Sequence, residues 1–220
     1  MTVIDSDRDM IDGAVDVPTY ELVRIAIIIA VGRALDVRAA ITRALERGTD
    51  PRWIEELMLQ SYLFVGMPRA LNAAREWRHV SPSPAPAADE GTDYGHAGEW
   101  KTRGERTCAA VYGEWYERLR TNISQLHPAL DAWMIIDGYG KVLSRPGLDL
   151  RRRELCVVGV CAVTEQDRQL HAHLRGALNV GATPEQVDAV LALAAQWSSE
   201  ECVEQHARIW ARVHGDRGGR

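Results

Sequence analysis

Residues 139–191 read YGKVLSRPGLDLRRRELCVVGVCAVTEQDRQLHAHLRGALNVGATPEQVDAVL. A very apolar helix is predicted to begin near Glu154, and a second is predicted to end at Gly181, a typical residue just past a helix. Thr183 and Pro184 then form an N-cap followed by proline at the first helical position. No alternating strand pattern survives at any length in the chain. The sequence therefore predicts an all-α fold.

The first part of the chain repeats this pattern. When Glu21 is laid on Glu154, an offset of 133, and the alignment runs without gaps to Trp77 on Trp210, ten of 57 positions are identical. Average composition would give roughly three or four. The helix-ending glycine and the helix-opening proline recur in both copies, as Gly48 and Gly181 and as Pro51 and Pro184. We therefore predict two tandem helical repeats of four helices each.

Composition indicates where the repeats are joined. Residues 81–104 (SPSPAPAADEGTDYGHAGEWKTRG) are rich in Pro, Gly, Ser and Ala and have little apolar periodicity, which is typical of a linker. Residues 1–17 carry five aspartates and are predicted to form an acidic tail. Since domain boundaries tend to fall in such stretches, we predict an N-terminal repeat over 18–80 and a C-terminal repeat over 105–220.

Charge and hydropathy exclude several functional classes. The net charge of −5 argues against a nucleic-acid-binding protein, which usually carries a basic face. The most apolar run, Ile25–Val31, has seven residues, whereas a membrane-spanning helix needs about 20. Met1 leads into acidic residues, unlike the basic start of a secretory signal. We therefore expect a cytoplasmic protein that binds neither nucleic acid nor membrane.

The cysteines and histidines do not predict a metal or redox centre. No two of the four cysteines (Cys108, Cys156, Cys161 and Cys202) form a C-x-x-C motif, and we expect free, mostly buried thiols. His171 and His173 are two residues apart, which places them about 200° apart around a helix, so they cannot share one small ion. We predict no metal and no cofactor.

Two stretches resemble the carboxymuconolactone decarboxylase / alkylhydroperoxidase D superfamily. They are residues 139–191, with the family's R-E-L start, H-x-x-x-A-L middle and G-x-T-x-E-[EQ] turn, and Glu55–Ala73 (EELMLQSYLFVGMPRALNA). The resemblance implies two tandem alkylhydroperoxidase D-like helical repeats. Family members with one repeat usually form hexamers and those with two repeats trimers, so it also implies a homotrimer. Its interfaces could use Trp53, Leu63, Phe64 and Met67, for which the alternative is ordinary packing within the chain.

The peroxidase branch of that superfamily uses the spacing E-x11-C-x2-C-x3-H. From Glu154, this spacing places Gln166 and Gln169 at the two cysteine positions and His173 at the histidine position. Glutamine supplies neither the attacking thiolate nor the resolving thiol that the peroxidase reaction needs. In the first repeat the equivalent positions hold no histidine and are Glu21, Arg33, Asp36 and Ala40. Any acid–base chemistry is therefore predicted to lie in the second repeat.

The candidate catalytic residues are His173 and Glu154. Desolvation beside an apolar helix would raise the pKa of Glu154, whereas the helix N-terminus and Arg153 would lower it, and the sequence leaves that balance open. The alternatives are an inert glutamate in a first helical turn and a core histidine bonded to a backbone carbonyl. The candidate substrate-binding residues are Gln166, Gln169, Arg153, Tyr139 and His171, although Tyr139 and Arg153 fit packing and a surface ion pair equally well.

Three functions are compatible with this pattern. The first is a cofactor-free acid–base enzyme that resembles the decarboxylase branch, with lyase or isomerase chemistry on a small carboxylated or lactone substrate. The second is an alkylhydroperoxidase-like antioxidant protein that uses a thiol outside a C-x-x-C motif. The third is a non-catalytic oligomeric binding protein, which the degenerate first repeat favours.

Overall fold

The polypeptide between residues 14 and 218, the part that the structure describes, consists of helices and turns without a strand. The structure is a computed structural model. The helices are α1 (Val17–Val31), α2 (Ala34–Glu46), α3 (Pro51–Val80), α4 (Ala97–Tyr112), α5 (Tyr116–Leu126), α6 (Pro128–Trp133), a π-helix (Met134–Leu143), α7 (Leu150–Val163), α8 (Asp167–Asn179), α9 (Pro184–Ala195) and α10 (Glu200–Gly218). The predicted all-α fold is confirmed. The predicted acidic tail, residues 1–17, lies mostly outside the described residues.

A matched hydrogen bond supports the two predicted repeats and their register. The indole Nε1 of Trp77 donates to the carboxylate of Glu55 at 2.5 Å, and that of Trp210 donates to Asp188 at 2.7 Å. Trp77 and Trp210 are 133 residues apart in the sequence, and so are Glu55 and Asp188. This is the offset that aligns the two repeats. The glycines that end α2 and α8 also share a left-handed backbone, with φ of 84° at Gly48 and 94° at Gly181.

The third and fourth helices are joined differently in the two repeats. In the first repeat α3 continues to Val80, but Gly66 leaves the helical region with φ 78° and ψ 159°. Pro68 follows and cannot donate a backbone hydrogen bond, so the helix is kinked there. The equivalent position in the second repeat is Ser199, in the break between α9 and α10. The third and fourth helices predicted for the first repeat are therefore the parts of α3 before and after Gly66.

Helices α1 and α7 form the centre of the molecule, one from each repeat. Gly159 on α7 brings the helices together, because a Cβ there would lie 3.1 Å from both Ile27 and Val23 on α1. At their ends Arg152 donates to the hydroxyl of Thr19 at 2.7 Å. One hydrophobic core holds buried residues of both repeats, and a second, smaller cluster lies between α4 and the π-helix. The repeats are thus packed into one core.

The region predicted as a linker, 81–104, contains the start of a helix. Helix α4 begins at Ala97, and Trp100 on its first turn is buried. Earlier in the region, Asp89 accepts two hydrogen bonds from Arg145, at 2.9 and 2.8 Å. The segment is therefore fastened to the second repeat, although its composition is typical of a linker.

Helix α4 crosses the π-helix at very short range. A Cβ at Gly104 would lie 2.0 Å from the carbonyl oxygen of Ile135, and one at Gly140 would lie 2.0 Å from that of Trp100. Only glycine permits this approach of two backbones. The crossing places the C-terminal end of α4 against α8. Gly113, with φ 54°, then ends α4.

Among the described helices, none has both the length and the apolarity required to cross a bilayer.

Candidate active site

The structure brings the two predicted catalytic residues together. Oε2 of Glu154, on α7, lies 2.8 Å from Nδ1 of His173, on α8. Glu154 is fully buried and His173 is 5% exposed. The alternative of a core histidine bonded to a backbone carbonyl through this nitrogen is therefore wrong.

Gly176 makes room for this pair. It follows His173 by one turn of α8, and a Cβ there would lie 2.7 Å from Oε2 of Glu154. The same Cβ would lie 2.7 Å from a methyl group of Val111 on α4. The absence of a side chain at this position lets the carboxylate and α4 approach α8 together.

The contact with Glu154 bears on which nitrogen of His173 carries the proton. An ionised carboxylate only accepts hydrogen bonds, so with Glu154 ionised Nδ1 carries the proton and Nε2 keeps its lone pair. The second oxygen of Glu154, Oε1, is buried and has no hydrogen-bond partner in the described part of the chain. In that state the pair offers a basic nitrogen beside a buried negative charge, the arrangement that stabilises an imidazolium after it accepts a proton.

Aromatic side chains enclose His173. The ring of Phe64 lies edge-on at 5.6 Å and that of Tyr112 at 6.4 Å, between centroids. The hydroxyls of Tyr112 and Tyr139 are hydrogen-bonded to each other, and burial raises the pKa of both phenols above the ordinary value. Both remain protonated at neutral pH and can donate hydrogen bonds. Tyr139, a predicted substrate contact, thus lies in the wall of the site behind Tyr112.

Arg153 lies in a separate buried network. Its Nη2 is 2.7 Å from the carboxylate of Glu56, Nη1 donates to Gln60 at 3.2 Å, and Nε donates to the carbonyl of Leu148 at 3.0 Å. The side chain is fully buried. The alternative predicted for Arg153, an ion pair, exists, but it lies in the interior and not at the surface. Substrate contact by Arg153 stays a prediction.

The remaining predicted substrate contacts are spread along α8. Gln166 and Gln169 are exposed at its N-terminal end, and the amide of Gln166 donates to the carbonyl of Thr164 at 2.8 Å. His171 lines a surface cleft of about 410 Å³ between α8 and α4–α5. The structure therefore places His171 nearest to a ligand-sized space, and contact by the glutamines stays a prediction.

Sequence reasoning missed the aromatic wall of the site. Tyr112 lies on α4, which has no counterpart in the repeat alignment, and Phe64 comes from α3 of the first repeat, just before the break at Gly66. Their distance in sequence from Glu154 left no local pattern to detect. The sequence feature related to this wall is the pair Gly104 and Gly140, at which α4 crosses the π-helix.

The thiols are poorly suited to peroxide chemistry. Cys108, Cys156 and Cys161 are buried, and Cys202 is half-buried. Burial raises the pKa of Cys108 and of Cys161 to about 12, and that of Cys156 higher still. These groups are thiols at neutral pH, whereas the thiolate is the nucleophile. In residues 14–218 no group of three or more His, Cys, Asp or Glu side chains is placed to hold a metal ion.

The first repeat has a different partner for its glutamate. Glu21, equivalent to Glu154, is fully buried, and its Oε1 lies 3.0 Å from Nε of Arg43 and 3.1 Å from that of Arg47. Arg43 occupies the position of Gly176. The other oxygen of Glu21 also lacks a hydrogen-bond partner among the described residues. The buried glutamate of the second repeat therefore contacts an imidazole, whereas that of the first repeat contacts two guanidinium groups.

Comparisons with known proteins agree with the fold and the repeats. The profile of the carboxymuconolactone decarboxylase family matches residues 5–79 and 128–213. Peroxisomal protein 2 of Schizosaccharomyces pombe is 32% identical over 153 residues, which are 67% of this chain and 69% of that protein. Peroxisomal protein 2 of Saccharomyces cerevisiae is 31% identical over 99 residues, 43% of this chain and 35% of that protein. This chain belongs to the carboxymuconolactone decarboxylase family.

Proposed function

We propose that the protein is a cofactor-free acid–base enzyme, with His173 as the proton carrier and Glu154 as its buried partner. The observation that supports this most strongly is the 2.8 Å contact between a fully buried carboxylate and a nearly buried imidazole. The substrate is a small carboxylated or lactone compound, and the reaction is of the lyase or isomerase type.

The chemistry follows from the protonation states. Nε2 of His173 removes a proton from the substrate, and the electron pair of the broken bond moves into a conjugated carbonyl. Glu154 stabilises the resulting imidazolium. The neutral hydroxyl of Tyr112 donates a hydrogen bond toward the negative oxygen that develops. His173 then returns the proton to another atom of the substrate, so the enzyme is restored without an oxidant or a metal.

The alternative of a thiol peroxidase has less support. The residues at the two cysteine positions are exposed glutamines, and three thiols have pKa values far above neutrality. The names of the two relatives state a compartment and no reaction. Nothing in the site favours a peroxidase over acid–base chemistry.

The cellular compartment is part of the same proposal. Four free cysteines are typical of a reducing environment, and the cytoplasm was the expectation from the sequence. The relatives' name adds the peroxisome as a second location to test. A fluorescent fusion imaged beside a peroxisomal marker distinguishes the two.

The activity is tested by proton exchange. Carboxylated lactones and α,β-unsaturated acids are incubated with the enzyme in D₂O, and deuterium incorporation and product formation are followed by NMR. We expect both with the wild-type protein, and a loss of about 100-fold or more in His173→Asn and Glu154→Gln.

The matched control is Glu21→Gln, which removes the equivalent buried carboxylate of the first repeat. We expect this variant to lose stability and keep its activity per folded molecule. Equal activity in His173→Asn and the wild-type protein, or exchange with no member of the substrate panel, would overturn the proposal.

A further inference from the structure

A cleft of about 410 Å³ lies next to the site but outside it. Its walls come from the end of α4, the turn that follows, α5 and α8. They include the side chains of Val111, Tyr112, Trp115, Arg118, Leu119 and Arg175. A space of this size fits a small molecule.

Two residues connect the cleft to the catalytic pair. Tyr112 lines the cleft, and its ring also faces that of His173 at 6.4 Å. Val111 lines the cleft too, and it meets Glu154 at the space left by Gly176. Tyr112 and Val111 are thus shared by the lining of the cleft and the surroundings of the pair.

The cleft combines positive charge with an aromatic surface. The guanidinium groups of Arg175 and Arg118 lie 5.1 and 5.4 Å from the centre of the Trp115 ring. Among the described residues that line it none is acidic, although the whole chain has a net charge of −5. Leu119 and Val111 add apolar surface on either side. This lining suits a ligand that is flat and apolar over most of its length and negative at one end.

We propose that this cleft binds a planar carboxylate with an apolar body, held by Arg118 at its charged end. The body packs against Trp115 and Leu119, and the opposite end contacts Tyr112, which positions it toward His173. Arg118 is exposed, so its guanidinium can meet a ligand from solvent. The inference rests on the proposed function, because it makes the cleft the substrate subsite of the Glu154–His173 pair.

Binding is tested by calorimetric titration of the full chain with naphthalene-2-carboxylate and, as its uncharged analogue, naphthalene-2-carboxamide. We expect the carboxylate to bind at least about tenfold more tightly than the amide. Arg118→Gln should weaken carboxylate binding by about tenfold and leave amide binding unchanged, since one charge-assisted hydrogen bond is lost. Trp115→Ala should weaken both ligands. Arg212→Gln, a substitution of an exposed arginine on α10, is the matched control and should bind both ligands as the wild-type protein does.

The two proposals fail in different ways. If His173→Asn and Glu154→Gln bind naphthalene-2-carboxylate normally while no substrate shows proton exchange, the ligand-binding proposal is retained and the proposed function is rejected. Equal binding of carboxylate and amide, unchanged binding in Arg118→Gln, or no binding to the wild-type protein would overturn the cleft. Circular dichroism of Arg118→Gln, Trp115→Ala and Arg212→Gln establishes that the fold is retained, as expected for side chains at the surface.

Discussion

At the residue scale, the partner of the buried glutamate separates the two repeats chemically. Both have a fully buried glutamate at the start of an apolar helix, Glu21 and Glu154. Arginine remains protonated throughout the range in which proteins are folded, so Glu21 is held permanently as one half of an ion pair. Histidine changes charge near neutral pH, so Glu154 faces a partner that can gain and lose a proton. The acid–base chemistry that we propose is therefore assigned to the second repeat.

Gly176 is predicted to be essential for this pair. In Gly176→Ala, the added methyl group would lie 2.7 Å from both Glu154 and Val111, which forces α7, α8 and α4 apart. We expect a loss of about 1–3 kcal/mol in the free energy of unfolding, measured in urea, together with a loss of activity. The control is Gly98→Ala, where no atom lies within 4 Å of the new Cβ and no loss is expected. A stable and active Gly176→Ala protein would contradict the close approach seen here.

The thiols are predicted to be unreactive at neutral pH. Because burial raises the pKa of Cys108 and Cys161 to about 12, their thiolate fraction is small at neutral pH and increases only as the pH rises toward that value. In titration with a disulfide reagent at about pH 7.5, we expect rapid reaction of Cys202 alone and reaction of the other three after unfolding. The control is Cys202→Ser, which should remove the rapid phase. Rapid reaction of a second thiol would favour the thiol-peroxidase alternative.

At the scale of helices, the elements that occur in both repeats could be predicted from the sequence, whereas the packing of α4, which occurs once, could not. The glycine and proline positions that bound α2, α3, α8 and α9 occur twice at one offset, which makes them recognisable. Helix α4 occurs once, and its packing on the π-helix depends on Gly104 and Gly140, which are 36 residues apart. Such a contact is made in three dimensions and leaves no periodic signal along the chain. This is why Tyr112 could not be assigned to the site from the sequence.

Arg153 illustrates the same limit and leads to a test at this scale. Arg153 is the arginine of the R-E-L motif and was predicted to contact the substrate. In the structure its guanidinium joins α7 to Glu56 and Gln60 of α3. Since removing one partner of a buried ion pair is costly, Arg153→Met should lower the free energy of unfolding by about 3 kcal/mol.

Arg151→Met is the matched control for this test. It removes a neighbouring, partly exposed arginine of the same helix, and a change below about 0.5 kcal/mol is expected. A stable Arg153→Met protein that has lost only substrate affinity would instead support the substrate contact that the sequence suggested.

At the scale of the whole molecule, exposed apolar side chains indicate where copies of the chain could meet. Of the four residues predicted for interfaces, Trp53, Leu63 and Phe64 are partly buried within the chain, and Met67 is 53% exposed. Leu71, one turn further along α3, is 59% exposed. The homotrimer therefore stays a prediction, with this part of α3 as its proposed contact.

The assembly is measured by light scattering after size-exclusion chromatography. We expect a mass of three times the 24.5 kDa of one chain. A Met67→Asp, Leu71→Asp variant should shift the mass toward one chain, whereas Leu126→Asp, at a 73% exposed position on α5, should not. A monomeric wild-type protein would contradict the prediction.

We infer that Glu154 holds His173 with its proton on Nδ1, so that Nε2 is free to accept a proton from the substrate. Long-range ¹H–¹⁵N NMR of the histidine rings reports the tautomer, with His173→Asn identifying the signal among the seven histidines. We predict a ring with its proton on Nδ1 in the wild-type protein and a changed tautomer in Glu154→Gln. A ring with its proton on Nε2 that is unaffected by Glu154→Gln would show that Glu154 does not orient His173 in this way.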